Sequence, residues 1–198
     1  STRALPYFEA VVERAEQTAD LADRQRASHY RNLAMAYRGI GHAAEAERAA
    51  GRALDLAGNG DAARGERAKA RLTLALLAAD RGDVDAAEQW LDAAHRDDDC
   101  TLETACAVLD YAVTLPSRAA VLARLGRSDE AFAALQSGID NPGWHCGMLQ
   151  DPDLAPLREE SRWSTMLERF GERAETDRRA APGGGGCFVI DPDTMRPD

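Results

Sequence analysis

Lysine is almost missing from this 198-residue chain: it occurs once, at Lys69, and the other 23 basic residues are arginine. Positive charge of either kind is in deficit, 24 basic against 34 acidic side chains, for a formal net charge of −10 and a pI near 4.9. That deficit excludes a sequence-independent nucleic-acid binder, which needs a basic surface to displace counterions. It equally excludes electrostatic docking on an anionic membrane. Long apolar runs are missing too. No stretch of 18 apolar residues occurs, so no helix of this sequence spans a bilayer. Ser1-Thr2-Arg3 opens without the apolar stretch of a secretory signal, and a cytoplasmic protein is expected. Cysteine is sparse, at positions 100, 106, 146 and 187, in a chain too long and too helical in pattern for a disulfide-framed secreted domain. Reduced thiols are the expectation. The arginine and alanine excess reads as the bias of a GC-rich bacterial genome and carries no mechanism.

What is present is helix after helix. At this length one domain or one short repeat array is expected, burying roughly 70% of the unfolded chain's surface. Ala, Leu, Glu and Arg dominate the first 180 residues, and all four favour helix. Apolar residues recur at spacings of three and four, with no period-two alternation of a half-buried strand. Gly41, Gly58-Asn59-Gly60, Gly82, Gly126 and Asn141-Pro142-Gly143 each follow one helical run and precede another, which suits a left-handed residue at a helix C-terminus. Connections this short predict antiparallel neighbours.

The runs also repeat. Leu33-Ala34, Tyr37, Gly41 and Ala46 have the spacing of Leu74-Ala75, Ala78, Gly82 and Ala87, and again of Ala119, Leu122, Gly126 and Ala131. The second helices continue with Ala50 and Ala53, Leu91 and Ala94, Leu135 and Gly138. Small residues let two helices approach, larger ones fill between them, and glycine turns the corner. This pattern resembles the tetratricopeptide repeat family, whose unit of about 34 residues carries a large and then a small residue, an aromatic four positions after the large one, a glycine four later and an alanine five after that. The resemblance covers roughly residues 1–140. The unit near Ala27 matches well. The unit near Ala68 has Ala78 in place of the aromatic. In the unit near Ala112, Arg118 stands where a large apolar residue belongs and Pro116 interrupts the first turn. Unit starts lie 41 and 44 residues apart, so insertions are expected at Gly58–Gly65 and at Asp97–Leu115, the latter as an extra short helix bearing Cys106, Leu109 and Val113. Ala4, Phe8 and Val11 resemble the second helix of an incomplete leading unit, whose open apolar face is a candidate homodimer contact.

Residues 151–170 resemble the closing segment of bacterial tetratricopeptide proteins. Asp151-Pro152-Asp153 starts a turn. Leu154, Leu157, Trp163, Met166, Leu167 and Phe170 then cover the last repeat, as a solenoid requires. The organisation expected is therefore all-α: antiparallel helix-turn-helix repeats of a TPR-like α-solenoid over 1–150, a capping turn and helix over 151–180, and a Gly-rich linker with a flexible, Cys-containing tail over 181–198.

The resemblance implies a non-enzymatic protein- or peptide-binding scaffold or adaptor that uses the concave face of the repeats. The groove positions are Arg31, Asn32, Met35 and Arg38 in one unit, and Lys69, Leu72, Thr73 and Leu76 in the next. Arg31, Arg38 and Lys69 would grip carboxylates, Asn32 would bond the ligand backbone, and Met35, Leu72 and Leu76 would meet apolar side chains. The plainer alternative pairs those cations with acidic residues one turn away. The set departs from the family's chaperone-type carboxylate clamp, since only Asn32 and Lys69 are of the required type.

After Pro182 and Gly183–Gly186 come Cys187, Phe188, Val189, Ile190, Asp191 and Asp193. Three readings stand: a disordered end, a tethered ligand for this chain's groove or another's, or a substrate modified, cleaved or crosslinked through Cys187, with the helical body as its carrier. Phe188-Val189-Ile190 counts against a pure linker, because exposed strand formers invite aggregation.

No chemistry-bearing constellation emerges. His95, Cys100, Cys106, His145, Cys146 and Cys187 lack metal-ligand spacing. His145-Cys146 has no orienting third residue. Gly183–Gly186 neither follows a strand nor leads to a Lys-Ser/Thr pair. Asp97-Asp98-Asp99 reads as a solvated loop. No enzyme activity, cofactor or metal is expected.

Overall fold

The computed structural model describes residues 4–60, 63–98, 108–139 and 149–180. Among them every regular element is helical. The chain forms two compact units, Ser1–Cys106 and Ala107–Asp198. The first holds α1 (Leu5–Gln17), α2 (Asp23–Arg38), α3 (Ala43–Ala57), α4 (Arg64–Asp80) and α5 (Val84–Asp98). The second holds α6 (Val108–Arg124), α7 (Ser128–Ile139), a 3-10 turn (Pro152–Leu154), α8 (Ala155–Arg158) and α9 (Ser161–Ala180).

Three corners join α2 to α3, α4 to α5 and α6 to α7, and they are built alike. Gly41, Gly82 and Gly126 take φ of +81°, +75° and +72°, a region that side chains with a Cβ avoid. The residue after each glycine donates its N–H back to the carbonyl five positions earlier: His42 to Tyr37 at 3.0 Å, Asp83 to Ala78 at 3.0 Å, Arg127 to Leu122 at 2.9 Å. The carbonyl of that same residue accepts the N–H of Ala46, Ala87 or Ala131 at 3.0 Å, starting the next helix. Those three alanines are fully buried, as are Ala34, Ala75 and Ala119 on the preceding helices. The spaced alanines of the sequence are thus the points where each pair of helices meets.

In the first unit α2 packs on α3 and α4 on α5, while α4 also rests on α2 and α3. Val12, Leu33, Ala34, Ala46, Ala49, Ala50 and Leu77 form one buried cluster, flanked by Leu5, Phe8, Tyr30, Tyr37 and Leu74. The helix α1, which holds Phe8 and Val11, is therefore packed on its neighbours. Polar ties hold α1 in place. The hydroxyl of Tyr37 donates to Glu9 at 2.7 Å and that of Tyr30 to Glu16 at 3.0 Å. Arg26 donates to the carbonyls of Ala15 and Thr18 at the end of α1.

The second unit differs from expectation at one place. Leu109 and Val113 do not sit on a separate short helix; α6 runs unbroken from Val108 through Pro116 to Arg124. Proline in a helix interior costs about 3 kcal/mol. Burial of Leu115, Ala119, Ala120, Val121 and Leu122 on the same helix offsets it. Cys106 lies outside the described residues. In the closing segment Leu154, Leu157, Trp163, Met166 and Phe170 are buried and Leu167 is half-buried, and Leu149, just before it, is buried as well. Arg124 donates to both the carbonyl and the carboxylate of Asp153, at 3.0 and 2.6 Å. Arg158 donates to the carbonyls of Leu149 and Asp151. Arg162 lies over the Phe132 ring at 4.5 Å and pairs with Asp129, tying α9 to α7.

Two glycines separate backbone strain from space. A Cβ on Gly82 or on Gly51 meets nothing within 4 Å, but only Gly82 has positive φ. Gly82→Ala is expected to lower unfolding free energy by about 1–2 kcal/mol, whereas Gly51→Ala, inside α3, should raise it by about 0.5–1 kcal/mol; urea denaturation reads both. A pH titration tests the seating of α1. Burial and Glu16 raise the pKa of Tyr30, and the hydrogen bond to Glu9 raises that of Tyr37. The stabilisation is complete below the ordinary tyrosine value of 10.0 and is lost as pH rises through the raised values. Circular dichroism should show an alkaline loss that shrinks in a Tyr30→Phe/Tyr37→Phe double variant.

Candidate functional site

The face shared by α2 and α4 carries the residues that repeat phase assigns to a groove. Arg38, near the end of α2, reaches across to Asp80 at the end of α4: Nε to Oδ2 at 2.5 Å and Nη2 to Oδ1 at 3.1 Å. This fork-on-carboxylate pair fixes the spacing of the two helices as well as their charge. Lys69 donates from Nζ to Glu66 Oε1 at 3.1 Å, with both side chains about nine-tenths buried. Two of the three cations expected to grip a ligand are thus already neutralised by the chain's own carboxylates. The Glu66–Lys69 pair at i, i+3 was legible in the sequence. Asp80, 42 residues from Arg38, was not.

Leu72, Thr73 and Leu76 are interior residues rather than groove lining. Their exposures are 2%, 6% and 3%, and the Thr73 hydroxyl donates to the Lys69 carbonyl. The reason is the composition of α4, which buries residues around most of its circumference, so phase alone does not distinguish an open face from a covered one. On α2 the equivalent positions are accessible: Arg31 and Met35 are half-buried and Asn32 is exposed. Arg31 Nη2 reaches Ser28 Oγ at 3.4 Å, and its Nε is buried with no partner. Arg31, Asn32 and Met35 therefore make up the open part of the candidate surface.

A second polar constellation escaped the sequence reading. Asp97 is not in a solvated loop; it lies in the last turn of α5 and is buried. Its Oδ1 accepts from Arg67 Nε and Nη2 at 3.1 and 3.0 Å, and its Oδ2 from Arg71 Nη1 at 2.6 Å. Arg67 Nη1 also donates to the carbonyls of Gly58 and Gly60, at 3.0 and 2.8 Å, and Arg71 Nη1 to that of Ala93. One carboxylate thus links α4, the end of α5 and the turn after α3.

Cys100, Cys106, His145, Cys146, Cys187, Phe188, Val189, Ile190, Asp191 and Asp193 lie outside the described residues. Among the described residues, no three His, Cys, Asp or Glu side chains gather as metal ligands, and no helix is long and apolar enough to cross a membrane.

The two ion-pair systems differ in burial, and stability should register it. Asp97→Asn strands buried guanidinium charge and is expected to cost about 3–5 kcal/mol. Asp80→Asn removes a partly exposed partner and should cost at most about 1 kcal/mol. Equal losses in urea denaturation would contradict this assignment. Compared with known proteins, the chain matches no family, no curated relative and no solved structure.

Proposed function

We propose that this chain is a TPR-like helical-repeat adaptor that binds a protein or peptide on the α2 side of the α2–α4 face, without catalysis. The supporting observation is the contrast on that face: Arg38 and Lys69 are paired internally, while Arg31, Asn32 and Met35 remain open beside them. The fork between Arg38 and Asp80 stiffens the surface before a ligand arrives, which reduces the entropy lost on binding. Arg31 then supplies the cation for a ligand carboxylate, Asn32 bonds to an extended backbone, and Met35 gives an adaptable apolar contact. Three corners of one geometry, at the spacings of the tetratricopeptide pattern, support the repeat reading. A bacterial cytosolic setting fits the acidic, arginine-rich composition.

Panning a random peptide display library against the whole protein tests the assignment. Enriched peptides are expected to share a carboxylate beside an apolar residue. Arg31→Glu should cut their binding at least tenfold, while Arg52→Glu, a partly exposed arginine on α3, should leave it within twofold. Enrichment of the same peptides by Arg31→Glu protein would sink the reading.

A further inference from the structure

Two large apolar side chains stand exposed among the described residues, Val84 at 51% and Tyr7 at 67%. Val84 lies between Asp83 and Asp85, with Glu88 one turn on, and belongs to no apolar face. Tyr7 does belong to one. The residues three, four and seven positions after it on α1 are Ala10, Val11 and Arg14, and these spacings bring all four onto one stripe of the helix. Ala10 and Arg14 are exposed and Val11 is half-buried. Phe8 packs against the buried cluster and meets the Tyr7 ring edge-to-face at 5.5 Å, which steadies that ring on the surface.

Arg14 lacks what other arginines of this chain have. Arg26, Arg48 and Arg127 each pair with an acidic residue three positions away. The residues three and four positions from Arg14 are Ala10, Val11, Gln17 and Thr18, none of them acidic. Its guanidinium has no hydrogen-bond or ion partner among the described residues. One stripe of α1 thus carries an exposed ring, a cation two turns away that nothing in the chain engages, and small or apolar residues between them.

That stripe is complementary to itself. Tyr7 and Arg14 are seven residues apart, about 10.5 Å along a helix axis. When two copies of α1 lie antiparallel with a two-fold axis between Ala10 and Val11, each Arg14 comes level with the partner's Tyr7. Alanine at the midpoint lets the helix axes close to about 8 Å. A guanidinium within about 6 Å of a ring is drawn to its face, and the two-fold axis makes that contact twice. Other registers lose it. An axis at Tyr7 sets ring on ring and carries both guanidinium groups past the start of the opposite helix. An axis at Arg14 opposes like charges. We propose that the exposed stripe of α1 is a homodimer contact, occupied by α1 of a second copy running antiparallel, with Arg14 over the partner's Tyr7 at both ends. The inference uses the first unit alone and is independent of the α2–α4 face.

A single helix pair buries less than the roughly 1,200 Å² at which standard interfaces begin, so the association is weak and shows only at high concentration. Sedimentation equilibrium of the full chain, with its thiols kept reduced, reads it. The mass should be 21.4 kDa at about 1 μM and should rise toward twice that value, and no further, at about 1 mM. Tyr7→Arg, which opposes two cations, and Arg14→Glu, which sets a carboxylate against the ring, should each weaken the dimer about tenfold or more. An equal mixture of the two variants should associate again, because one contact becomes arginine on glutamate and the other keeps Arg14 on Tyr7. Mixing rescues no folding defect. The inference fails if the parent stays monomeric at about 1 mM, if its mass climbs past the dimer, if either single variant dimerises as the parent does, or if the mixture stays monomeric.

Discussion

How closely two helix backbones approach decides the rest of this fold. At each corner the contact is made by a pair of fully buried alanines, one before and one after a glycine of positive φ. Alanine at a crossing removes the side-chain layer that would hold the axes apart, so backbone dispersion replaces side-chain interdigitation. The arrangement needs the next helix to start at a fixed phase, and the two corner hydrogen bonds set it. Where the α2–α3 corner has Tyr37 and the α4–α5 corner has Ala78, the geometry is the same. The backbone hydrogen bonds and the glycine specify the turn, and the larger residue only fills beside it.

Close approach has a cost. A core built largely of alanine gains little apolar area per residue, and the first unit supplements it with polar ties. Tyr30 and Tyr37 hold α1 through carboxylates, Arg26 closes the end of α1, and Arg67 with Arg71 closes the end of α5. In the second unit Arg124 and Arg158 do the same around the Asp151–Asp153 turn. The arginine-for-lysine bias, read from composition as a genomic habit, thus serves a structural use at Arg26, Arg67 and Arg124, each of which donates from two or more nitrogens of its planar fork.

The corners, the alanine contacts and the apolar cap were legible because each is local: a glycine and its neighbours within nine residues fix them. The continuity of α6 was not, because local propensity argues against helix at Pro116 and only the burial around it reverses the balance. The site was half legible. Phase placed Arg31, Asn32 and Met35 on the open side of α2 and gave the i, i+3 partner of Lys69. It missed the burial of Leu72 and Leu76, and it missed Asp80 and Asp97, whose partners lie 26 to 42 residues away. Long-range pairing leaves no period in a sequence. An acidic run such as Asp97-Asp98-Asp99 looks the same whether its first member faces water or two guanidinium groups.

The sharing of Asp97 bears on how the first unit comes apart. Helical arrays ordinarily fray from an end, one helix at a time, each released with little effect on those further in. Here the last turn of α5 and the Gly58–Gly60 turn lean on the same carboxylate through Arg67. Unwinding that last turn withdraws the carboxylate, leaves Arg67 charged in the interior and loosens a connection nearly forty residues earlier. Loss of the last turn of α5 is thereby converted from a small local step into one concerted opening of α4, α5 and the Gly58–Gly60 turn.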